Sequence, residues 1–236
     1  QNPIELLHIS DIQSAALGRY EEGVFKAIQR IDPDLVIHTG DLLQPVPPAT
    51  WESEFPKIQR LFESIAPRFG ILNIYGNCEM HLTGFLEDHL AGVETLDGRN
   101  IRLDIGETKL RIHGLRFFES EVDASSVAKK LSDMSGEDEL IILLGHSPNF
   151  ILSVLDQPID LCLAGHTHGG QIRIPGVGSL LTFSALPKKW ASGFHEVGQA
   201  RFNVSAGIGT EGTEWLPPIR LFCPPEMTLI HLSPVE

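Results

Sequence analysis

The stretch Ala164-Gly165-His166-Thr167-His168-Gly169-Gly170-Gln171, which follows the apolar run Leu161-Cys162-Leu163, decides how the rest of the chain is read. An apolar run of this length bounded by glycine is the pattern of a buried strand. If the strand continues through the histidines, side chains two apart share a face and lie about 6.7 Å apart along it. His166 and His168 then point into one site. A pair at this spacing encloses one metal less readily than histidines at i and i+4 of a helix. It suits two adjacent ions, which lie about 3.5–4 Å apart in two-metal sites. Gly165, Gly169 and Gly170 let the backbone turn tightly and approach a ligand. Alone, His-x-His is a weak signal, so its meaning depends on what the other strand ends carry.

Those ends repeat one arrangement. Upstream, Leu140 to Leu144 reads as a buried strand capped by Gly145-His146-Ser147-Pro148. At the start of the chain, Ile4 to Ser10 is an apolar strand running into Asp11-Ile12-Gln13. A helical spacing at Val24, Phe25, Ile28 and Ile31 follows. Leu35 to His38 is a second strand, ending at Thr39-Gly40-Asp41. Trp51 to Ile65 is helical in pattern, with Pro56 expected to limit or kink it, and Ile71 to Tyr75 leads to Gly76-Asn77-Cys78-Glu79. The spacing of about 30 residues is that of βαβ units. In open α/β sheets ligands bind outside the carboxyl ends of the strands. Further on, Ile101 to Leu115 reads as a hairpin turned at Gly106-Glu107-Thr108. Val122 to Leu131 and Asn149 to Leu155 read as helices, Ile172 to His195 as a loop, and Gln199 to Ser205 and Met227 to Leu232 as closing strands. With no linker composition anywhere, residues 1–236 read as one domain.

Composition bounds the function. A formal net charge of -13 disfavours nucleic acid as a partner. No apolar run approaches the length of a membrane span. Cys78, Cys162 and Cys223 have neither an even count nor CxxC spacing, which argues against a disulfide framework or a cysteine zinc site. The chain begins at Gln1, so cytoplasmic and exported locations both stay open, as does the oligomeric state. Asp11, Gln13, Asp41, Asn77, His146, His166 and His168 form a mixed oxygen and nitrogen set suited to Mn²⁺, Fe or Zn²⁺. Taken singly, Asp41, Asn77 and His146 also suit turns and caps; seven such groups at successive strand ends do not arise from turn chemistry alone. His8 and His38, inside apolar strands, read as hydrogen-bonded core residues, and His89, His113, His195 and His231 as surface or structural.

In this order, the blocks Asp11-x-Gln13, Gly40-Asp41, Gly76-Asn77-Cys78-Glu79, Gly145-His146 and Gly165-His166-Thr167-His168 resemble the calcineurin-like metallophosphoesterase family over nearly the whole chain. The extension Gly169-Gly170-Gln171, the loop Leu186 to Trp190 and the tail Arg220 to Glu226 resemble a bacterial branch of phosphodiesterases. Some members of that branch are exported, and some cleave the pyrophosphate of a UDP-linked acylated sugar. The resemblance implies an α/β fold, a two-sheet β-sandwich flanked by helices in α-β-β-α layers. It also implies two divalent ions, Mn²⁺ foremost. Asp11, Gln13, Asp41 and His168 would hold one, and Asp41, Asn77, His146 and His166 the other. The implied reaction is hydrolysis of a phosphodiester or pyrophosphate by in-line attack of a metal-bound hydroxide, on a small-molecule or lipid-linked substrate. A binding or scaffold protein on the same fold is the rival reading. No His-Glu-x-x-His helix or Gly-x-Ser-x-Gly turn supports another hydrolase class.

Two positions depart from the family pattern: Gln13 and Cys78 stand where it has histidine. A thiol with an unperturbed pKa of about 8.5 is a poor substitute for imidazolium beside phosphate. If residues 78 to 81 coil as a helical turn, His81 lies on the same side as Cys78 and is the expected replacement acid, with Glu79 orienting it. Lys188, Lys189 and Trp190 could meet a phosphate or a membrane surface, but a short basic and aromatic cluster in a loop reads first as a solvated edge.

Overall fold

Apolar runs without polar alternation must bury both faces, and the computed structural model, which describes residues 3–82, 90–106, 108–136, 138–212 and 218–233, shows where those faces go. One sheet is ordered β13-β1-β2-β3-β4. Its strands are β1 (Ile4–Ile9), β2 (Leu35–His38), β3 (Ile71–Asn73), β4 (Val93–Thr95) and β13 (Thr228–Leu232). The other is ordered β11-β12-β8-β7-β6-β5. It comprises β5 (Asn100–Ile105), β6 (Thr108–Gly114), β7 (Glu139–Leu144), β8 (Leu161–Ala164), β11 (Gly193–Val197) and β12 (Ala200–Val204). Both have parallel centres; the edges β13 on β1, β5 on β6 and β11 on β12 are antiparallel, and the edge β4 on β3 is parallel.

The core has three layers. Leu7, Ile9 and Val36 face Phe25 and Ile28 of α1 (Arg19–Ile31) and Phe55, Ile58 and Phe62 of α2 (Trp51–Glu63). Leu6, Leu35 and Ile37 turn the other way and meet Ile142, Leu144, Leu161 and Leu163 between the sheets. On the far side Ile141, Leu143 and Cys162 pack on α4 (Ser125–Met134) and α5 (Ile151–Val154). The layers are thus α-β-β-α, and β7 shows the cause: its successive residues alternate between two apolar cores.

Pro56 does not break α2. It is the sixth residue of the helix and forgoes one intrahelical bond, but the Thr50 cap, which accepts from Ser53 N, and the buried face of Phe55, Ile58 and Phe62 hold the helix through it. The helix expected at Val122 to Leu131 is split at Asp123 into α3 (Phe117–Val122) and α4, with the Asp123 carboxylate accepting from Ser125 N–H. The one expected at Asn149 to Leu155 is a 3-10 turn, Pro148–Phe150, followed by the single turn of α5. Within the expected loop lies a two-stranded hairpin, β9 (Arg173–Ile174) with β10 (Gly178–Ser179). His8 and His38 are buried and bonded to Thr39, Asn203 and Asn73; burial lowers their pKa values to about 3 and about 4.

The registers bring the strand ends together. Ile9 stands beside His38 and His38 beside Asn73. The turns after β1 and β2 continue the pairing, with Asp11 N–H donating to Gly40 O and Gln13 N–H to Asp41 O, each at 2.9 Å. The turn after β8, a central strand of the second sheet, closes over them: His166 N–H reaches the Asp11 carboxylate at 3.0 Å.

Candidate metal centre

Nine non-glycine residues among those described have positive φ, and five of them are Asp11, Gln13, Asp41, His166 and His168. Backbone strain of this kind persists where surrounding structure enforces it, and it gathers at functional sites. Glycine makes room for it. A Cβ on Gly165 would overlap Ser10 Oγ and the Asp11 carboxylate, and one on Gly76 would overlap Asp41 Oδ1. The two histidines therefore differ from the strand expectation. β8 ends at Ala164, and His166 and His168 leave a tight turn at φ 69° and 47°. They do not line one strand face but approach from different directions. The His166 ring lies 5.0 Å from that of His146, whereas His168 Nε2 is 3.6 Å from Asp11 Oδ1.

Asp11, Asp41 and His146 are buried, with one donor atom of each within 4.8 Å of the others. His146 Nδ1 lies 2.7 Å from Thr39 O, which can only accept, so this nitrogen carries the proton. In the neutral ring Nε2 then has a free lone pair, directed at Asn77 Oδ1 at 3.1 Å and Asp41 Oδ2 at 3.4 Å. Gln13 donates from Nε2 to Gln44 Oε1 at 3.1 Å and to Cys78 Sγ at 3.5 Å, leaving its Oε1 buried without a partner. A buried unpartnered acceptor is costly. An amide oxygen, two carboxylates, an asparagine oxygen and imidazoles match divalent ions of the Mn²⁺ to Zn²⁺ series. The residues present fit such ions.

The charges of the cluster act on one another. Burial raises the Asp11 pKa to about 7, opposed by His146 and reinforced by Asp41. Burial also pushes Asp41 upward, but His146 and the Cys78 N–H outweigh it and hold Asp41 below the usual carboxylate range. Burial would lower His146; Asp41 and Asp11 overcome it and raise the pKa to about 10. His168 and His166 fall to about 3 and about 4, chiefly through burial, with Arg220 acting on the first and His146 on the second.

Glu79, expected to orient His81, has its carboxylate on three backbone N–H groups: Asp41 at 3.0 Å, Leu42 at 2.7 Å and Gly76 at 2.7 Å. It ties the turn after β2 to the turn after β3. Cys78 contributes its backbone, whose N–H donates to Asp41 Oδ1 at 2.9 Å. Burial, then the charges of Asp41 and Glu79, push its thiol pKa far above the ordinary range, so it is no source of thiolate. His81 lies in the 3-10 turn Met80–Leu82, and its side chain falls outside the described residues, as does all of His89.

Several contributors carried no role in the sequence reading. Arg220 donates to the carbonyls of Ala206, Gly207 and Gly209, and its Nη2 sits 3.4 Å from His168 Nδ1. Glu121 stands 3.8 Å from His166 Nε2, and Phe117 packs against the rings of His146 and His166.

Two sheets in α-β-β-α layers bring a buried Asp–Asp–His cluster, able to hold a divalent ion, to the place where strand ends of both sheets converge. The description Calcineurin-like phosphoesterase matches residues 4–170, and the chain belongs to that family. It is 30% identical over 225 residues to the metallophosphoesterase YkuE of Bacillus subtilis, covering 89% of this chain and 71% of that one. To the phosphodiesterase YaeI of Escherichia coli it is 26% identical over 236 residues, covering 98% and 82%. A dimetal phosphatase from Danio rerio shares the fold with TM-score 0.52 at 10% identity, over 88% of each chain.

Proposed function

We propose that the chain hydrolyses phosphodiester or pyrophosphate bonds with two divalent metal ions, Mn²⁺ foremost and Fe or Zn²⁺ as alternatives. The observation that carries this reading is the buried Asp11–Asp41–His146 cluster beside the unpartnered Gln13 oxygen. Asp11, Gln13, Asp41 and His168 would hold one ion, and Asp41, Asn77, His146 and His166 the other. Such ions supply positive charge to the phosphoryl oxygens and lower the pKa of water. The protein holds this set in place: Thr39 O fixes the His146 tautomer, Cys78 N–H fixes Asp41, and Glu79 clamps the two turns.

Charge favours diesters over monoesters. Glu121 stands against His166, and Glu211 is close enough to Asp41 that burial and that charge raise its pKa. Arg220 is engaged by carbonyls. A dianionic monoester is opposed here more than a monoanionic diester. The similarity to a phosphodiesterase supports the same choice, and the pyrophosphate of a nucleotide-linked acylated sugar falls in this class. With Mn²⁺, bis(nitrophenyl) phosphate should be cleaved with kcat/KM at least about tenfold above that for nitrophenyl phosphate, a difference of about 1.4 kcal/mol. The reverse preference would overturn the diester reading.

Gln13 makes the two sites unequal, because an amide oxygen is a weaker donor than imidazole to these ions. Calorimetric titration with Mn²⁺ should show two separated steps. Gln13→His should tighten the weaker one by at least about tenfold, the lower end of the 10–100-fold that supporting partners of metal ligands are worth. Two equal steps in the parent protein would contradict this assignment.

A further inference from the structure

The hairpin that leaves the His166–His168 loop carries a surface that is both basic and apolar. A cleft of about 490 Å³ is lined by Arg173, Ile174, Val177, Lys188, Lys189 and Phe222, among others. No acidic side chain is among its described lining residues, although the chain holds 31 acidic residues against 18 basic ones. Its apolar members face outward: Val177 is 75% exposed and Phe222 66%, and on the adjoining loop Leu181 and Phe183 are 63% and 76% exposed. Phe183 and Phe222 also hold left-handed backbone, at φ 46° and 53°, a conformation that is an outlier for so bulky a residue. The cations are held at the rim. Lys188 Nζ donates to Leu180 O at 2.6 Å, and Lys189 Nζ lies 5.5 Å from the Trp190 ring centroid.

Apolar tips beside an uncompensated basic rim are the pattern of a surface that lies on anionic lipid. Lysine is depleted at protein–protein interfaces, which weighs against a protein partner. We propose that this face docks on an anionic phospholipid bilayer. Val177, Phe183 and Phe222 would enter the headgroup boundary, with Arg173, Lys188 and Lys189 at phosphate level. The hairpin is fixed to the metal loop: Ser179 Oγ donates to Gly169 O at 2.6 Å, Leu221 N–H to Gln171 O and Arg173 N–H to Leu221 O, each at 2.9 Å. Docking would therefore set the proposed metal centre beside the leaflet. That consequence rests on the diester reading, and it names the substrate class as phosphoesters carried on a lipid.

The test is flotation of the Mn²⁺-loaded chain with vesicles of phosphatidylcholine, alone or containing about one-third phosphatidylglycerol. The chain should float with the anionic vesicles at least about fivefold better than with the neutral ones, and lose that preference at high salt. Lys189→Glu, and separately Val177→Glu, should each cut anionic binding about fivefold or more, while bis(nitrophenyl) phosphate turnover in solution stays unchanged. Equal binding to both vesicles, no binding, or variants that float like the parent would overturn the proposal. So would a dimer in light scattering that Val177→Glu dissolves, which would assign the face to a second copy. Binding is read without turnover. An inactive chain that still floats contradicts the phosphoesterase reading alone, and an active chain that does not float contradicts the docking alone.

Discussion

Asp41→Asn should abolish metal retention and turnover together. Asp41 is buried, its Oδ1 accepts the Cys78 N–H, and its Oδ2 is 3.4 Å from His146 Nε2. In the two-ion proposal it is the residue shared by both ions, so asparagine would remove a negative charge that serves each of them. Loss of a partner that merely supports a metal ligand costs about 10–100-fold in affinity or activity. Loss of a shared ligand should cost more, in Mn²⁺ content after desalting and in kcat/KM alike. The substitution keeps the volume and an oxygen for Cys78 N–H, so the thermal midpoint of the chelated protein should move little. Full activity in Asp41→Asn would contradict the two-ion assignment; lost activity with retained metal would move Asp41 from holding metal to positioning substrate.

Glu79→Ala should produce the largest loss of stability. Its carboxylate is buried and accepts from the N–H groups of Asp41, Leu42 and Gly76. Truncation strands three donors, each worth about 1–3 kcal/mol when left unpaired. Partial relaxation and entry of water reduce the sum to about 3–5 kcal/mol, at the upper end for a single substitution. Glu79→Gln keeps one acceptor oxygen and should cost less, about 2 kcal/mol. Urea denaturation of the chelated protein measures both. A cost below about 1 kcal/mol for Glu79→Ala would show that the clamp between the turns is not needed.

The central strands were legible because each is an apolar run ending in a polar tip, and that pattern follows from burial on two faces. β4 and β11 were not. Both are edge strands with exposed positions, Glu94 in one and Phe194 and Glu196 in the other, and pairing with β3 and β12 makes them strands. The residues of the proposed ligand set could be singled out because each sits in a short local block, and the structure brings Asp11, Asp41 and His146 among them together. The way His166 and His168 are presented was not legible, since left-handed backbone at histidine has no signature in residue type; the flanking glycines were its trace. Arg220 escaped for another reason. It lies 52 residues from His168 and works through backbone carbonyls, which any sequence supplies. Glu79 was singled out, but its clamp was not foreseen, because two of its three partners are the Asp41 and Leu42 amides on another strand end.

The measurement that bears most directly on the central claim is elemental analysis of the purified chain, paired with bis(nitrophenyl) phosphate turnover before chelation, after it, and after Mn²⁺ is restored. Two equivalents of divalent metal per loaded chain should be found, with turnover lost on chelation and recovered with Mn²⁺. A chain that takes up no metal and shows no turnover, or one whose turnover survives complete chelation, would contradict a metal-dependent phosphodiesterase; the first of these results would make it a scaffold on the same fold.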